Sequence, residues 1–398
     1  MMPSPPARPP GPLEVFLVAG EESGDRLGAA LIRALRARTG GEVHFAGVGG
    51  REMAAEGVAS LFAIDDLAII GFSAIPRRFF KILRLMSLTA KAVVAARPHV
   101  LIIIDSPSFT LEIARRVRAA DPGIAIVEYV SPSVWAWRPG RARGMRRYVD
   151  HILALLPFEP EVHRRLGGPP CTYVGHPLAE EARDLRPNEA ETRRRLATPP
   201  VLLVLPGSRV GEIERLLAVF ADTVTLLRER LGPLEVVVPT VPQLAAPIAA
   251  ATAQWTVKPR IVVETAEKQA AFRVARAALT KSGTVTLELA LAGVPMVAAY
   301  RVSWLEAVVG RALIKVSSVI LANLVLGENV VPEFIQEACT ADNLAAALAP
   351  LFGDGPERRR QIEAFARLDA IMEIGSSAPA ARAADVVLDT VGRVLPSR

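Results

Sequence analysis

The sequence predicts an α/β protein of two facing, Rossmann-like, doubly wound domains, with an interdomain cleft at the carboxyl ends of their strands. Three observations carry that expectation. Short apolar runs alternate with helix-length amphipathic segments along nearly the whole chain. The pattern restarts after residue 200, and each half has a glycine turn directly after its first strand. At 398 residues and 51% hydrophobic content, the chain can bury more than one core.

Taken in order, Glu14–Ala19 is the first strand, ending in Gly20-Glu21-Glu22-Ser23-Gly24-Asp25. The helix that follows sets Leu27, Leu31, Ala34 and Leu35 on one face. Val100–Ile104, Ile124–Tyr129 and Ile152–Leu155 are further strands. Glu180–Pro200 is charged, carries three prolines and has no apolar period, so it reads as a linker. Val201–Leu205 then ends in Pro206-Gly207-Ser208-Arg209 before a long helix to about Leu231. Glu235–Pro239, Arg260–Glu264, Ala278–Thr280 and Met296–Tyr300 complete the second set of strands, and the chain from about Pro356 reads as charged helix. The expected division is a disordered proline-rich arm (1–12), a first domain (13–185), a linker (186–200), a second domain (201–375) and a helical tail (376–398). That tail can dock on the first domain or on a partner chain, the latter giving a homodimer.

Composition removes several classes. The first apolar run, Val15–Ala19, meets a charged turn where a secretory signal would need small residues. The nearest approach to a membrane span, Leu313–Leu326, is broken by Lys315, Ser317, Ser318 and Asn323. Two cysteines, Cys171 and Cys339, point to a reducing cytoplasm. Neither they nor the five histidines have metal-ligand spacing, so no metal is expected. Leu67–Ile104 lacks any acidic residue but holds Arg77, Arg78, Lys81, Arg84, Lys91 and Arg97. With Phe79, Phe80, Ile82, Leu83, Leu85 and Met86 interleaved, it is either an amphipathic helix on an anionic membrane or an ordinary helix with its apolar face in the core. No recognition motif for nucleic acid accompanies it.

Several turns have the makings of a site. Ser282, Gly283, Thr284, Thr286 and Glu288 open a helix after the Ala278–Thr280 strand, where N–H groups suit a diphosphate and Glu288 a ribose hydroxyl. Arg209 can neutralise a nucleotide phosphate or pair with Glu212 or Glu214. In the first half, Asp105-Ser106-Pro107-Ser108 follows the Val100–Ile104 strand, with Glu21, Glu22, Asp25 and His176 in neighbouring turns. A general base would come from this group, while Asp25 and Asp105 also suit helix caps. The absence of a Walker lysine motif or a Gly-x-Gly-x-x-Gly fingerprint argues against an ATPase or a dehydrogenase. Tyr129-Val-Ser-Pro-Ser-Val-Trp-Ala-Trp-Arg138, followed by Arg141, Arg143, Arg146 and Arg147, suits a polyanion with an apolar part, or else a buried tryptophan cluster beside a solvated basic helix.

That string closely resembles one of the lipid-A-disaccharide synthases. So do Ala19–Asp25, Gly47-Val48-Gly49-Gly50, Pro157-Phe158-Glu159, Val174-Gly175-His176-Pro177-Leu178, Leu205–Arg209, Ser282–Glu288, Tyr300-Arg301, Ala322-Asn323-Leu324 and Pro332-Glu333, in the same order. The resemblance implies a GT-B fold without a metal or other cofactor, UDP held by the second half and the acceptor by the first. It implies an inverting transfer joining UDP-2,3-diacylglucosamine to 2,3-diacylglucosamine 1-phosphate through a β-1,6 link. Acylated sugar substrates place such an enzyme peripherally on the cytoplasmic face of the inner membrane. Arg209, Thr284, Thr286, Glu288 and Asn323 match family positions tied to nucleotide binding or activity.

One position departs. The family pattern is Asp-x-Pro-Asp-Phe, and here Ser108 replaces the second aspartate, a favoured base. Serine does not accept a proton near neutral pH without activation, so Asp105, Glu22 or Asp25 takes the role, or the chain is a weakened paralogue that binds nucleotide sugar or lipid. A UDP-sugar epimerase on the same fold is a further alternative.

Overall fold

The computed structural model describes residues 11–67, 75–303, 318–374 and 377–394, with side chains of the second segment from residue 80 onward. Contacts divide the chain into two compact units, Met1–Pro177 with Ser376–Arg398, and Leu178–Gly375.

The first unit is built on a parallel six-stranded sheet in the order β2-β1-β3-β4-β5-β6. Its strands are β1 (Leu13–Ala19), β2 (Val43–Val48), β3 (Val100–Ile104), β4 (Ala125–Tyr129), β5 (His151–Ala154) and β6 (Cys171–Tyr173). Helices cover both faces, which is why β3 can read Val-Leu-Ile-Ile-Ile with every residue buried. One face packs Leu17, Ile102, Ile104 and Tyr129 with Leu31, Ile32 and Leu35 of the helix Glu22–Thr39. The other packs Leu101, Ile103 and Ile126 with Ile113 and Val117 of the helix Pro107–Ala120. The C-terminal helix, Pro379–Val394, adds Ala383, Ala384, Val387 and Val391 to the first of these clusters. Its Asp385 pairs with Arg38 at 2.6 Å. Of the two docking partners expected for the tail, this chain uses its own first unit.

The second unit repeats the plan with the order β12-β11-β10-β7-β8-β9. These strands are β7 (Val201–Leu205), β8 (Glu235–Pro239), β9 (Arg260–Val262), β10 (Ala277–Lys281), β11 (Met296–Tyr300) and β12 (Glu333–Ile335). In each sheet the chain winds outward one way, then returns to the other side of its first strand. Order therefore reverses between β1 and β3, and between β7 and β10. At such switch points the connecting loops part and leave a crevice for ligands.

The segment expected to be a linker folds instead. Glu180 and Glu181 lie in the helix Leu178–Glu181, and Glu189–Leu196 is a helix whose Asn188 and Glu191 form a reciprocal capping box. Arg195 then donates to the carbonyls of Phe272, Arg273, Ala292 and Gly293 at 3.0–3.1 Å, which ties the segment to the second unit. Charge hid this in the sequence, because Arg195 is buried through carbonyl contacts rather than an apolar period.

The basic stretch resolves in part. In the helix Ile75–Ala96, Leu85, Met86, Ala90 and Val93 are buried in the core, as the ordinary amphipathic reading expects, while Phe80 is 70% exposed. The rest of the proposed membrane face, 68–74 and the side chains of 75–79, lies outside the described residues. So does the 313–317 part of the interrupted apolar run. Among the described residues no helix is long and apolar enough to cross a membrane.

Arg195→Leu is expected to cost about 3 kcal/mol, since four carbonyls, two of them buried, lose a charged donor together. A clear fall in the urea midpoint, with secondary structure retained below it, is the measurement.

Candidate active site

At the β1/β3 switch point two turns meet. The Ser106 hydroxyl donates to Glu21 Oε1 at 3.2 Å, and Ser23 to Asp105 Oδ2 at 3.5 Å. Asp105 and Ser106 both take left-handed backbone conformations, with φ of 54° and 46°. Non-glycine residues pay for that geometry, so it persists only where neighbours impose it. Here Asp105 N–H donates to Tyr129 O at 3.0 Å, Thr110 hydroxyl to Asp105 O at 2.7 Å, and Ser106 N–H to the Asp105 carboxylate at 2.7 Å. The close approach demands glycine at position 20, where a Cβ would lie 2.4 Å from Ser106 Cβ.

The four expected catalytic residues separate here. Asp105 is partly exposed at the centre of this cluster, and Ser108 is exposed on the first turn of the helix after it. Glu22 is exposed at the head of its own helix, and it is Glu21 that reaches Ser106. Asp25 is corrected to a structural role. It is 2% exposed and accepts from the N–H groups of Gly50, Glu52 and Met53 at 2.7–3.1 Å, capping the short helix Arg51–Ala55. His176 is partly buried, and desolvation lowers its pKa to about 4.

The tryptophan loop follows β4 at the same end of the sheet. Its anchor is Glu159, nearly fully buried, which accepts from Trp135 Nε1 at 3.2 Å and from Leu156 N–H at 3.0 Å. Phe158 packs edge-on against Trp135 at 5.5 Å between ring centroids. Burial raises the Glu159 pKa to about 7 against the pull of these hydrogen bonds. Glu128, on β4 itself, is wholly buried and neither carboxyl oxygen has a hydrogen-bond partner. Burial drives it well above the usual carboxylate range, the nearby Asp105 charge adds to this, and Arg141 opposes it.

At the β7/β10 switch point, Gly207 turns at φ 120° and Ser208 N–H donates to Glu212 Oε2 at 3.1 Å. Lys281, at the end of β10, pairs with Glu212 at 3.0 Å. Burial works against the Glu212 charge, but Lys281 and Ser208 outweigh it and the pKa falls. Arg209 reaches Glu212 only at 3.5 Å and its side chain is 80% exposed, so a surface pair of this kind leaves it free to turn to an anion. It stands before the 22-residue helix Val210–Leu231, whereas the helix after Ser282-Gly283-Thr284, Val285–Leu291, has only 7 residues and a smaller dipole.

Thr284 is exposed, Gly283 is partly so, and Glu288 is held 2.6 Å from Lys268. Three other expected nucleotide contacts turn inward. Ser282 donates to Val319 O at 2.9 Å and Thr286 to Gly283 O at 2.7 Å, both buried. Asn323 donates to Ser318 Oγ and Val331 O and accepts from Val330 and Val331 N–H, all within 3.2 Å. These three brace the turn from behind, because their side-chain donors are already engaged within the fold. Glu212 was expected only as a partner of Arg209; its pairing with Lys281, and that of Lys268 with Glu288, escaped the sequence reading because nothing in their spacing joins them. Among the described residues, no group of three or more histidine, cysteine or acidic side chains is arranged to hold a metal.

Two six-stranded parallel sheets, each with its polar turns at a switch point, define a GT-B-type α/β fold. The structure is similar to a UDP-GlcNAc 2-epimerase from Neisseria meningitidis bound to UDP-GlcNAc, with a TM-score of 0.57 at 12% identity over 95% of this chain and 99% of that one. It is also similar to MurG of Acinetobacter baumannii, with a TM-score of 0.54 at 16% identity over 96% and 100%. The particular family comes from sequence. The model of the lipid-A-disaccharide synthetase family matches residues 15–384. The lipid-A-disaccharide synthase of Nitrobacter hamburgensis is 62% identical over 377 residues, 95% of each chain. The chain belongs to the lipid-A-disaccharide synthetase family, and it is a glycosyltransferase of lipid A biosynthesis.

Two outcomes test this geometry. Gly20→Ala is expected to cost about 1–3 kcal/mol by pushing Ser106 out of place, read as a lower urea midpoint. Glu159 takes up a proton on folding, so it favours the folded state most below pH ~4.5, and that contribution is lost as pH rises to about 7. Measured against Glu159→Gln, wild type should lose roughly 3 kcal/mol across that window. A pH-independent difference between the two would refute the buried protonated carboxyl.

Proposed function

We propose that the enzyme transfers 2,3-diacylglucosamine from UDP to the 6-hydroxyl of 2,3-diacylglucosamine 1-phosphate, with inversion to a β-1,6 link. The single observation that carries the catalytic assignment is the Asp105–Ser106 turn, held left-handed beside Glu21 at a switch point. The acceptor O6–H attacks the donor anomeric carbon, its proton passes to the carboxylate of Asp105 or Glu21, and the bond to the diphosphate breaks as UDP leaves with the electron pair. Charge grows on the departing diphosphate. Arg209, Lys281 and the amino end of Val210–Leu231 supply positive potential there, where a metal ion would otherwise serve. Gly283 and Thr284 admit the phosphates, and Glu288 accepts from the ribose hydroxyls. Ser282, Thr286 and Asn323 act behind them as positioning residues.

The acyl chains of both substrates call for peripheral attachment to the cytoplasmic face of the inner membrane, which the exposed Phe80 supports. The 62% identity to a named synthase across nearly the whole chain favours an active enzyme over a weakened paralogue.

UDP release from the paired acylated substrates is the decisive assay. Arg209→Ala should lower kcat about 10²–10³-fold. Asp105→Asn should lower it about 10²–10⁴-fold, and Ser108→Asp should raise turnover. No UDP release by wild type would end the transferase reading; full activity in Asp105→Asn would move the base to Glu21.

A further inference from the structure

We propose that Trp137, Arg138 and Arg141 form a seat for a sugar phosphate monoester, the 1-phosphate of the acylated acceptor. The assignment rests on the acceptor proposed above.

Both guanidinium groups are held over one indole. The Arg138 carbon lies 4.5 Å from the Trp137 ring centroid and the Arg141 carbon 5.4 Å. Stacking on the ring fixes the planar groups and leaves their N–H edges to bind an oxyanion in a fork. Arg138 adopts φ 52°, a left-handed strain of the kind that gathers at ligand sites.

The two charges are also uncompensated. Some other arginines of this unit do sit on carboxylates, as Arg36 does on Glu56 at 2.9 Å. Neither Arg138 nor Arg141 has a described carboxylate within ion-pair distance. Burial, and then the Arg138 charge, pull the Arg141 pKa down, so the unliganded pair carries an electrostatic cost. The groups whose charge would favour Arg141 are Tyr148 and then Glu128, and burial favours the neutral form of both. A phosphate dianion would remove the cost.

The seat is rigid and correctly placed. Trp135, two residues before Trp137, is pinned by Glu159 and Phe158, and Val134 and Ala142 are buried with Val162. The loop leaves the carboxyl end of β4, which neighbours β3 and its Asp105–Ser106 turn. An acceptor lying across these adjacent strand ends would present its 6-hydroxyl to the turn and its 1-phosphate to the arginines. Attraction to an anionic membrane needs only solvated charge, which exposed Arg143, Arg146 and Arg147 can supply without any stacking.

The test compares binding of 2,3-diacylglucosamine 1-phosphate with that of the same compound lacking phosphate, both in detergent micelles. Wild type should prefer the phosphorylated form. Arg138→Gln and Arg141→Gln should each weaken its binding about 10–100-fold, raise its KM correspondingly, and leave the dephosphorylated compound and the donor KM unchanged. Arg141→Lys should recover part of the loss, and an unaltered melting temperature in Arg138→Gln, an exposed position, separates lost binding from lost folding. Unchanged discrimination in both glutamine variants overturns the seat. So does a loss confined to cosedimentation with phosphatidylglycerol vesicles, which would assign the arginines to the membrane. If wild type discriminates between the two compounds yet releases no UDP, the seat stands and the transferase reading fails.

Discussion

The reversal of strand order beside β1 and beside β7 is the constraint on which the rest depends. Parallel strands need crossover connections, and a sheet wound both ways from one strand leaves two adjacent turns with no helix above them. In the first unit those turns carry Glu21 with Ser23 and Asp105 with Ser106; in the second they carry Ser208 with Arg209 and Lys281 with Gly283. Polar residues far apart in sequence become neighbours because one hydrogen-bonded strand spacing separates their anchors.

Behind these turns the chain spends buried polar groups to hold loops still. Asp25 caps a helix, Asn323 closes the 318–331 loop and Glu159 holds Trp135. Each would be costly to bury unpaired, and each is paired with backbone or side-chain partners that fix a particular geometry. Glu128 is the exception, buried with no hydrogen-bond partner, and burial favours its neutral form. Its neutrality matters for the loop above it, because a charged Glu128 would compensate Arg141. A preorganised pair of arginines on Trp137 is thus consistent with the burial of Glu128.

Fold class and family were legible because they rest on local, repeated signals. Val100–Ile104 and Val201–Leu205 are unbroken apolar runs bounded by turns, and both are strands over those residues. Three-residue strands such as Cys171–Tyr173 and Glu333–Ile335 were not, since neither has an apolar run and pairing alone makes them strands. Glu189–Leu196 was hidden by its charge, although Asn188 and Glu191 carried a capping box in plain sight.

By itself the sequence determined the α/β plan, the family and the turns where chemistry gathers, because periodicity, glycine turns and a long motif string are properties of neighbouring residues. Only the tertiary structure decided what each polar side chain does. Asp25, Ser282, Thr286 and Asn323 resemble ligand contacts in the chain, yet all four are turned inward, while Glu21 and Lys281 stand at the switch points. The reason is physical: a side chain's free hydrogen-bonding capacity depends on partners supplied by distant strands and loops, and no local pattern records which of them arrive.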